Sequence, residues 1–317
     1  MRFLVVGAGS WGTAFTRVVL DRDHDVVLAC RTREQAEAIA TTGWNPRYLQ
    51  SVDLSAAEAV ALADAPADVD VVVVAVPSRA FAEVVGGLPG DAPVLSLVKG
   101  LDPETGERLS TRVGGRSVAV LSGPNIAEEI AAGLPTAAVV ASEDGALAGR
   151  LQHALNSSLF RAYVNPDVVG VELCAAAKNV IALAAGGVDG LRLGDNAKAS
   201  LIARGLAEMT RLGEAAGARP ETFAGLAGIG DLVVSCCSAK TRNRHAGELI
   251  AQGLTQEQAV AEIGQTVEGL TTAPILRDLS HRLGVELPIT EGVCAVLSGQ
   301  SITDLAAGLM GREPTEE

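Results

Sequence analysis

Arg2-Phe3-Leu4-Val5-Val6-Gly7-Ala8-Gly9-Ser10-Trp11-Gly12 runs an apolar strand straight into a G-x-G-x-x-G turn that opens a helix. Gly7 permits the tight turn, Gly9 lets main chain approach a pyrophosphate, and Gly12 lets the helix pack closely on its strand. Ser10 and Trp11 stand at the helix start, where free N–H groups face phosphate. Strand, turn and helix are contiguous, the context that makes this short motif a dinucleotide-binding fingerprint.

A carboxylate that would hold an NAD ribose belongs about 20 residues further on. The second strand, Asp25 to Cys30, is followed instead by Arg31-Thr32-Arg33. A guanidinium can fork onto a phosphate that a carboxylate would repel. The expected cofactor is therefore NADP(H), with NAD(H) as a second candidate. The alternative is that Arg31 and Arg33 only begin a solvated helix over residues 34–39.

Beyond this unit, Val71–Val76, Val94–Val98, Val118–Leu121 and Ala137–Val140 are near-continuous apolar runs, as strands covered on both faces require. They predict an α/β doubly wound (Rossmann) parallel sheet. Loops at the C-terminal ends of such strands face the ligand crevice, which singles out Pro77-Ser78, Lys99-Gly100 and Ser122-Gly123-Pro124-Asn125. Past Asn165-Pro166-Asp167 the texture becomes helical, over Val168–Ala185, Ala197–Gly213, 255–283 and 290–310. The expected organisation is a dinucleotide-binding domain over 1–167 and an all-α substrate-binding and catalytic domain over 168–317, ending in a frayed polar tail from Arg312.

A chain of 317 residues fits two domains. No stretch reaches the roughly 18 apolar residues needed to span a bilayer, and Met1 leads directly into strand one without a signal peptide. A cytoplasmic protein without membrane insertion is expected. The net charge of −13 argues against a broad nucleic-acid or anionic-membrane surface. The cysteines, at 30, 174, 236, 237 and 294, show neither metal-ligand spacing nor a disulfide framework. The four histidines are scattered, so no metal site is expected.

The chain has four lysines, Lys99, Lys178, Lys198 and Lys240. Lys178 lies in an otherwise apolar helix, where desolvation would lower its pKa and let it exchange a proton near neutrality. The alternative is a lysine snorkelling out of an Ala-rich helix. A second cluster joins a Gly-rich turn, Gly225 to Gly230, that presents Asp231, with Thr241-Arg242-Asn243. Hydroxyl, guanidinium and amide at a helix start suit a phosphate. A capped helix with solvent-facing arginines is the competing reading.

These segments together resemble bacterial NAD(P)-dependent sn-glycerol-3-phosphate dehydrogenases over nearly the whole chain. The resemblance is carried by Gly7 through Ala14, Val74 through Ser78, Leu97 through Gly100, Leu121 through Pro124 and Leu173 through Ala182. It continues in Asn196 through Ala199, Arg204 through Met209, Gly225 through Asp231, Arg242-Asn243-Arg244 and Val267-Glu268-Gly269. It implies reversible reduction of dihydroxyacetone phosphate to sn-glycerol 3-phosphate for phospholipid synthesis, by a homodimer. Lys178 is then the catalytic acid/base, and Lys99 touches both cofactor and substrate. Gly123, Asn125, Lys178, Asp231, Thr241, Arg242 and Asn243 fall at substrate positions. Cofactor positions are Gly7, Gly9, Ser10, Trp11, Gly12, Arg31, Arg33, Pro77, Ala127, Arg242, Val267 and Glu268.

Two departures from the family pattern stand out. Thr241 replaces a frequent Ser and keeps the hydroxyl. Asn125-Ile126 replaces a Ser or Thr followed by Phe, so an amide donor remains while an aromatic is lost. Two rivals stay open: a related reductase acting on another small hydroxy acid or phosphorylated ketone, and a noncatalytic NADP(H)-binding sensor or scaffold.

Overall fold

The computed structural model describes residues 1–302. Eight strands form one sheet: β1 (Arg2–Val6), β2 (Asp25–Cys30), β3 (Glu58–Ala61), β4 (Val71–Val74), β5 (Val94–Ser96), β6 (Val118–Ser122), β7 (Thr136–Ala141) and β8 (Phe160–Asn165). Their order is β3-β2-β1-β4-β5-β6-β7-β8. The helices of this half are α1 (Ser10–Leu20), α2 (Arg33–Thr42), α3 (Ser78–Gly86), α4 (Ala127–Ala131) and α5 (Gly145–Leu155).

Strand β1 is apolar at successive positions because both sheet faces are covered. Phe3 and Val5 pack on one side with Phe15 and Leu95, while Leu4 and Val6 pack on the other with Val72 and Phe81. The sheet departs from the all-parallel expectation at one place. β7 runs antiparallel to β6, and β8 then follows β7 in parallel. The β6–β7 connection holds only the single-turn α4 and folds back at the same sheet end instead of crossing over. That return brings Asn125 against Thr136 and Ala137.

The first half of the outer edge of β8 is filled. Asn156 Oδ1 accepts the Ala162 N–H at 2.7 Å and Gln152 Nε2 donates to the Ala162 carbonyl at 2.9 Å. Ser157 takes the Phe160 N–H on its hydroxyl at 2.9 Å and donates its own N–H to the Phe160 carbonyl at 2.8 Å.

From Val168 onward the described chain is helical: α6 (Val168–Gly190), α7 (Asp195–Ala215), α8 (Pro220–Phe223), α9 (Asp231–Cys237), α10 (Arg242–Ala251), α11 (Gln256–Ile263), α12 (Glu268–Leu283) and α13 (Pro288–Leu297). The expected helix over 255–283 is two helices. Gly264, with φ of 65°, ends α11, and residues 264–267 cross to α12. The expected helix over 290–310 begins two residues earlier and ends at Leu297; the remainder of that expectation from residue 303, with the polar tail, lies outside the described residues.

The core of this half surrounds α6. Its backbone touches that of α10, where a Cβ on Gly186 would lie 1.8 Å from the Arg244 carbonyl oxygen and one on Gly247 1.9 Å from that of Leu183. α6 also corrects the reading that no segment is long and apolar enough to span a bilayer. It is, but 89% of its most apolar stretch is buried among its neighbours, so the same composition serves a protein core.

Candidate active site

The dinucleotide turn is shaped by steric need. Gly7 adopts φ of 107°, and a Cβ there would meet the Ala75 carbonyl oxygen at 2.5 Å; one on Gly12 would meet that of Gly7 at 1.8 Å. No atom lies within 4 Å of a Cβ placed on Gly9. That open position above a helix start fits a pyrophosphate, because of the three turn glycines it is the one whose main chain can be approached from outside. Gln35 and Asn45 side chains both donate to the Ala8 carbonyl and brace the turn from beneath. Trp11 packs edge-on against Phe15, its indole N–H buried without a partner among the described residues. Ala127 opens α4 and packs against the same core cluster as Trp11.

The two arginines after β2 differ. Arg33 is tied to Asp64 at 2.7 Å. Arg31 is exposed and forms no ion pair among the described residues, so of the two it can meet a phosphate without first leaving a carboxylate.

A strap from the helical half reaches the same crevice. Ser10 Oγ donates to Gln265 Oε1 at 3.5 Å, and exposed Arg242 donates to the Thr266 carbonyl at 3.0 Å. Val267 is buried in the helical core. Glu268 accepts the Ser78 N–H at 3.1 Å and its hydroxyl at 2.6 Å, just past Pro77, which precedes α3.

The reactive cluster lies where the sheet ends meet the helices. Asp231 enters α9 from a π-helical turn over Leu226–Gly230, which presses so closely on Phe223 that a Cβ on Gly228 would sit 2.0 Å from its carbonyl oxygen. Asp231 Oδ1 binds Lys178 Nζ at 2.8 Å and Oδ2 binds Lys99 Nζ at 2.7 Å. Lys178 also donates to Ser235 Oγ at 2.8 Å, and Lys99 to the Gly123 carbonyl at 2.9 Å.

Lys178 is therefore not a snorkelling lysine: its side chain is only 8% exposed and ends in this cluster. Burial lowers its pKa to about 8, with Asp231 opposing the fall and Lys99 adding to it. Burial alone would raise Asp231, but the Lys178 and Lys99 ammonium groups overcome it and hold the carboxyl below its usual range. Cys236 beside them is pushed up to about 12 by burial and stays a thiol. Lys178 is the member of the cluster placed to trade a proton near neutral pH.

Several expected ligands are committed elsewhere. The Thr241 hydroxyl faces the Ser235 and Ser238 carbonyls, at 2.7 and 2.8 Å, so its single proton is held inside the α9–α10 turn. Asn243 donates to Asn179 Oδ1 at 2.8 Å and accepts the Gly269 N–H at 2.9 Å. Both amide protons of Asn125 go to Thr136 and Ala137, leaving buried Oδ1 without a partner among the described residues. Arg242 and the opening turn of α10 remain accessible. Lys198 pairs with Asp189, which also takes Arg244, and its charge reaches Cys236 at the border of the cluster.

Sequence reading missed Ser235, one helical turn past Asp231, and Asn179, which holds the Lys99 carbonyl at 3.0 Å. The Lys178-Asn179 pair in an apolar helix was the available signal for the second.

A doubly wound dinucleotide sheet, a helical half and a buried lysine–aspartate centre at their junction define a two-domain, dinucleotide-dependent oxidoreductase. Residues 3–148 match the NAD-dependent glycerol-3-phosphate dehydrogenase N-terminus and residues 167–306 match the C-terminus. The chain belongs to the NAD-dependent glycerol-3-phosphate dehydrogenase family. It is 46% identical over 305 residues to the glycerol-3-phosphate dehydrogenase [NAD(P)+] of Streptomyces avermitilis, covering 92% of this chain and 91% of that one. The enzyme of the same name from Streptomyces coelicolor is 45% identical over 99% of this chain and 97% of its own. The crystal structure of glycerol-3-phosphate dehydrogenase from Coxiella burnetii superposes with a TM-score of 0.93 at 35% identity, over 98% of this chain and 99% of that one.

Proposed function

We propose that this chain reversibly reduces dihydroxyacetone phosphate to sn-glycerol 3-phosphate with NADPH, or with NADH, supplying the glycerophospholipid backbone. The observation that carries the reading is the buried Lys178 ammonium, held by Asp231 and Ser235 and poised near pH 8 where the two halves meet. The bound nicotinamide cofactor supplies the hydride. Lys178 stabilises the charge growing on the ketone oxygen and gives that oxygen its proton. Asp231 keeps the lysine aimed, and Lys99 adds positive field from the cofactor side.

Arg242 and the α10 start bind the substrate phosphate, whose binding energy aligns the reacting carbons. Arg31 would meet the ribose phosphate of a bound NADP(H), and Glu268, through Ser78, would help to hold the dinucleotide in the crevice. Residues 1–167 serve the cofactor and 168–317 the substrate. A cytoplasmic location accords with five unpaired thiols, and the homodimer follows from the family resemblance; sedimentation tests the latter.

Steady-state NADPH oxidation with dihydroxyacetone phosphate tests the activity, and Lys178→Met tests the mechanism. The variant should lose turnover while binding NADPH within about threefold of wild type, because the ammonium faces the reacting oxygen. Substantial turnover in folded Lys178→Met would remove the lysine from the role.

A further inference from the structure

Two hydrogen-bonding holds on the segment after β5 come from α6. Asn179 holds the Lys99 carbonyl. Seven residues earlier, Glu172 holds the far end: Oε1 accepts the Ser110 N–H at 2.8 Å, and Oε2 accepts the Ser110 hydroxyl at 2.5 Å and Arg108 at 3.1 Å. Positions 172 and 179 share one face of a helix, about 10 Å apart along its axis. Between the grips the chain doubles back, with Leu101 pairing antiparallel to Arg108. Leu101 is buried in the helical core. Asp102 pairs with Arg112 at 3.0 Å and caps the turn by accepting the Glu104 and Thr105 N–H groups. Residues 99–112 thus form a stiff bracket with Lys99 at its root.

Glu172 has no part in the mechanism above, yet it is a carboxylate in the apolar core helix α6, 3% exposed. Such a group is costly to bury unless fully hydrogen-bonded. Burial pushes its pKa up, while Ser110 and Arg108 work against the rise. All three bonds given above go to the bracket.

We propose that Glu172 is a positioning residue: by gripping Ser110 and Arg108 it holds the 99–112 bracket on α6 and fixes the Lys99 ammonium on Asp231, beside Lys178. The inference rests on the reading of Lys178 as acid/base. The groups facing the Lys178 ammonium are Asp231, Ser235 and Cys236 from α9 and Lys99 from the bracket. When the bracket loosens, a neighbouring cation withdraws, and Lys178 binds its proton more tightly while the substrate loses Lys99.

With four lysines in the chain, 13Cε-lysine NMR can titrate Lys178 directly in the NADPH-bound protein. Wild type, Glu172→Gln, Lys99→Met and the double variant form a cycle. Glu172→Gln should raise the Lys178 midpoint by about 0.5–1 pH unit, with about a tenfold loss of kcat and NADPH affinity within about twofold. In the Lys99→Met background the same change should add no shift. An unmoved midpoint in Glu172→Gln, or an equal rise with and without Lys99, would overturn the proposal and leave Glu172 a structural group. Arg108→Met, at a part-exposed position, should move Lys178 the same way by less; it supplies the reading if Glu172→Gln does not fold, and no shift in it then refutes the grip. Because the titration needs no turnover, a wild type inactive on dihydroxyacetone phosphate would refute the functional reading separately.

Discussion

Asp231→Asn separates the electrostatic role of the carboxylate from its shape. Each oxygen of Asp231 carries one ammonium, Lys178 at 2.8 Å and Lys99 at 2.7 Å, in a site where the carboxylate side chain is 3% exposed. At an effective dielectric constant of about 20, unit charges about 4 Å apart interact by about 4 kcal/mol, equivalent to about 3 pK units. Relaxation around the amide and entry of water reduce that to about 2 units. Lys178 would then fall from about 8 to about 6. At about pH 7.5 its protonated fraction drops from roughly three-quarters to about 3%, a loss of roughly 25-fold in reduction rate from protonation alone.

The assay is kcat for dihydroxyacetone phosphate reduction across pH, with folding of the variant verified by circular dichroism. The alkaline limb should move acidward by about 2 units, and part of the lost rate should return at about pH 5.5. A limb still near 8, with one uniform factor lost at every pH, would refute the argument and make Asp231 an orienting group only.

Three further outcomes are expected. Arg31→Ala should weaken NADPH relative to NADH by about 1–3 kcal/mol, and Arg33→Ala by much less because Asp64 already holds that guanidinium; paired Kd measurements decide, and equal losses for both cofactors would assign the arginines to the fold. Arg242→Ala should raise KM for dihydroxyacetone phosphate far more than for unphosphorylated dihydroxyacetone at saturating NADPH, and an equal proportional loss of kcat/KM on both would refute phosphate anchoring. Burial pushes Glu208 up to about 7, and its carboxylate accepts the Ile289 and Thr290 N–H groups at the start of α13. A raised acid contributes stability fully present below its ordinary value and lost as pH rises through about 7, so Glu208→Gln should flatten urea-derived stability between about pH 4.5 and 7.5, removing a slope worth about 2–3 kcal/mol; an unchanged slope would contradict the assignment.

The fold was legible where apolar runs are buried on both faces, as in β1, β4, β5 and β6. β3 escaped because Glu58–Ala61 is partly exposed and carries little β-branched content. β8 escaped although it alternates: Phe160 and Ala162 point inward, Arg161 and Tyr163 outward. The reversal of β7 has no signature within the strand, since an apolar run reads alike in either direction. In the site, the isolated lysines and the Gly-rich approach to Asp231 announced themselves by residue type. What could not be read was direction: Thr241, Asn125 and Asn243 offer suitable donors by composition, but packing turns those donors toward neighbouring residues. Glu172 was hidden for the same reason, its partners lying more than sixty positions back along the chain.

The partly filled edge of β8 bears on how the protein behaves in a crowded solution. A terminal strand normally offers a row of donors and acceptors to any extended peptide that drifts by. Here Ser157, Asn156 and Gln152 answer the outward groups of Phe160 and Ala162, and do locally what a ninth strand would do. A foreign strand would have to displace those bonds before forming its own, which guards the sheet against templated aggregation. Along the covered stretch, self-association would have to be built from side-chain contacts, because the main-chain groups of Phe160 and Ala162 are already bonded.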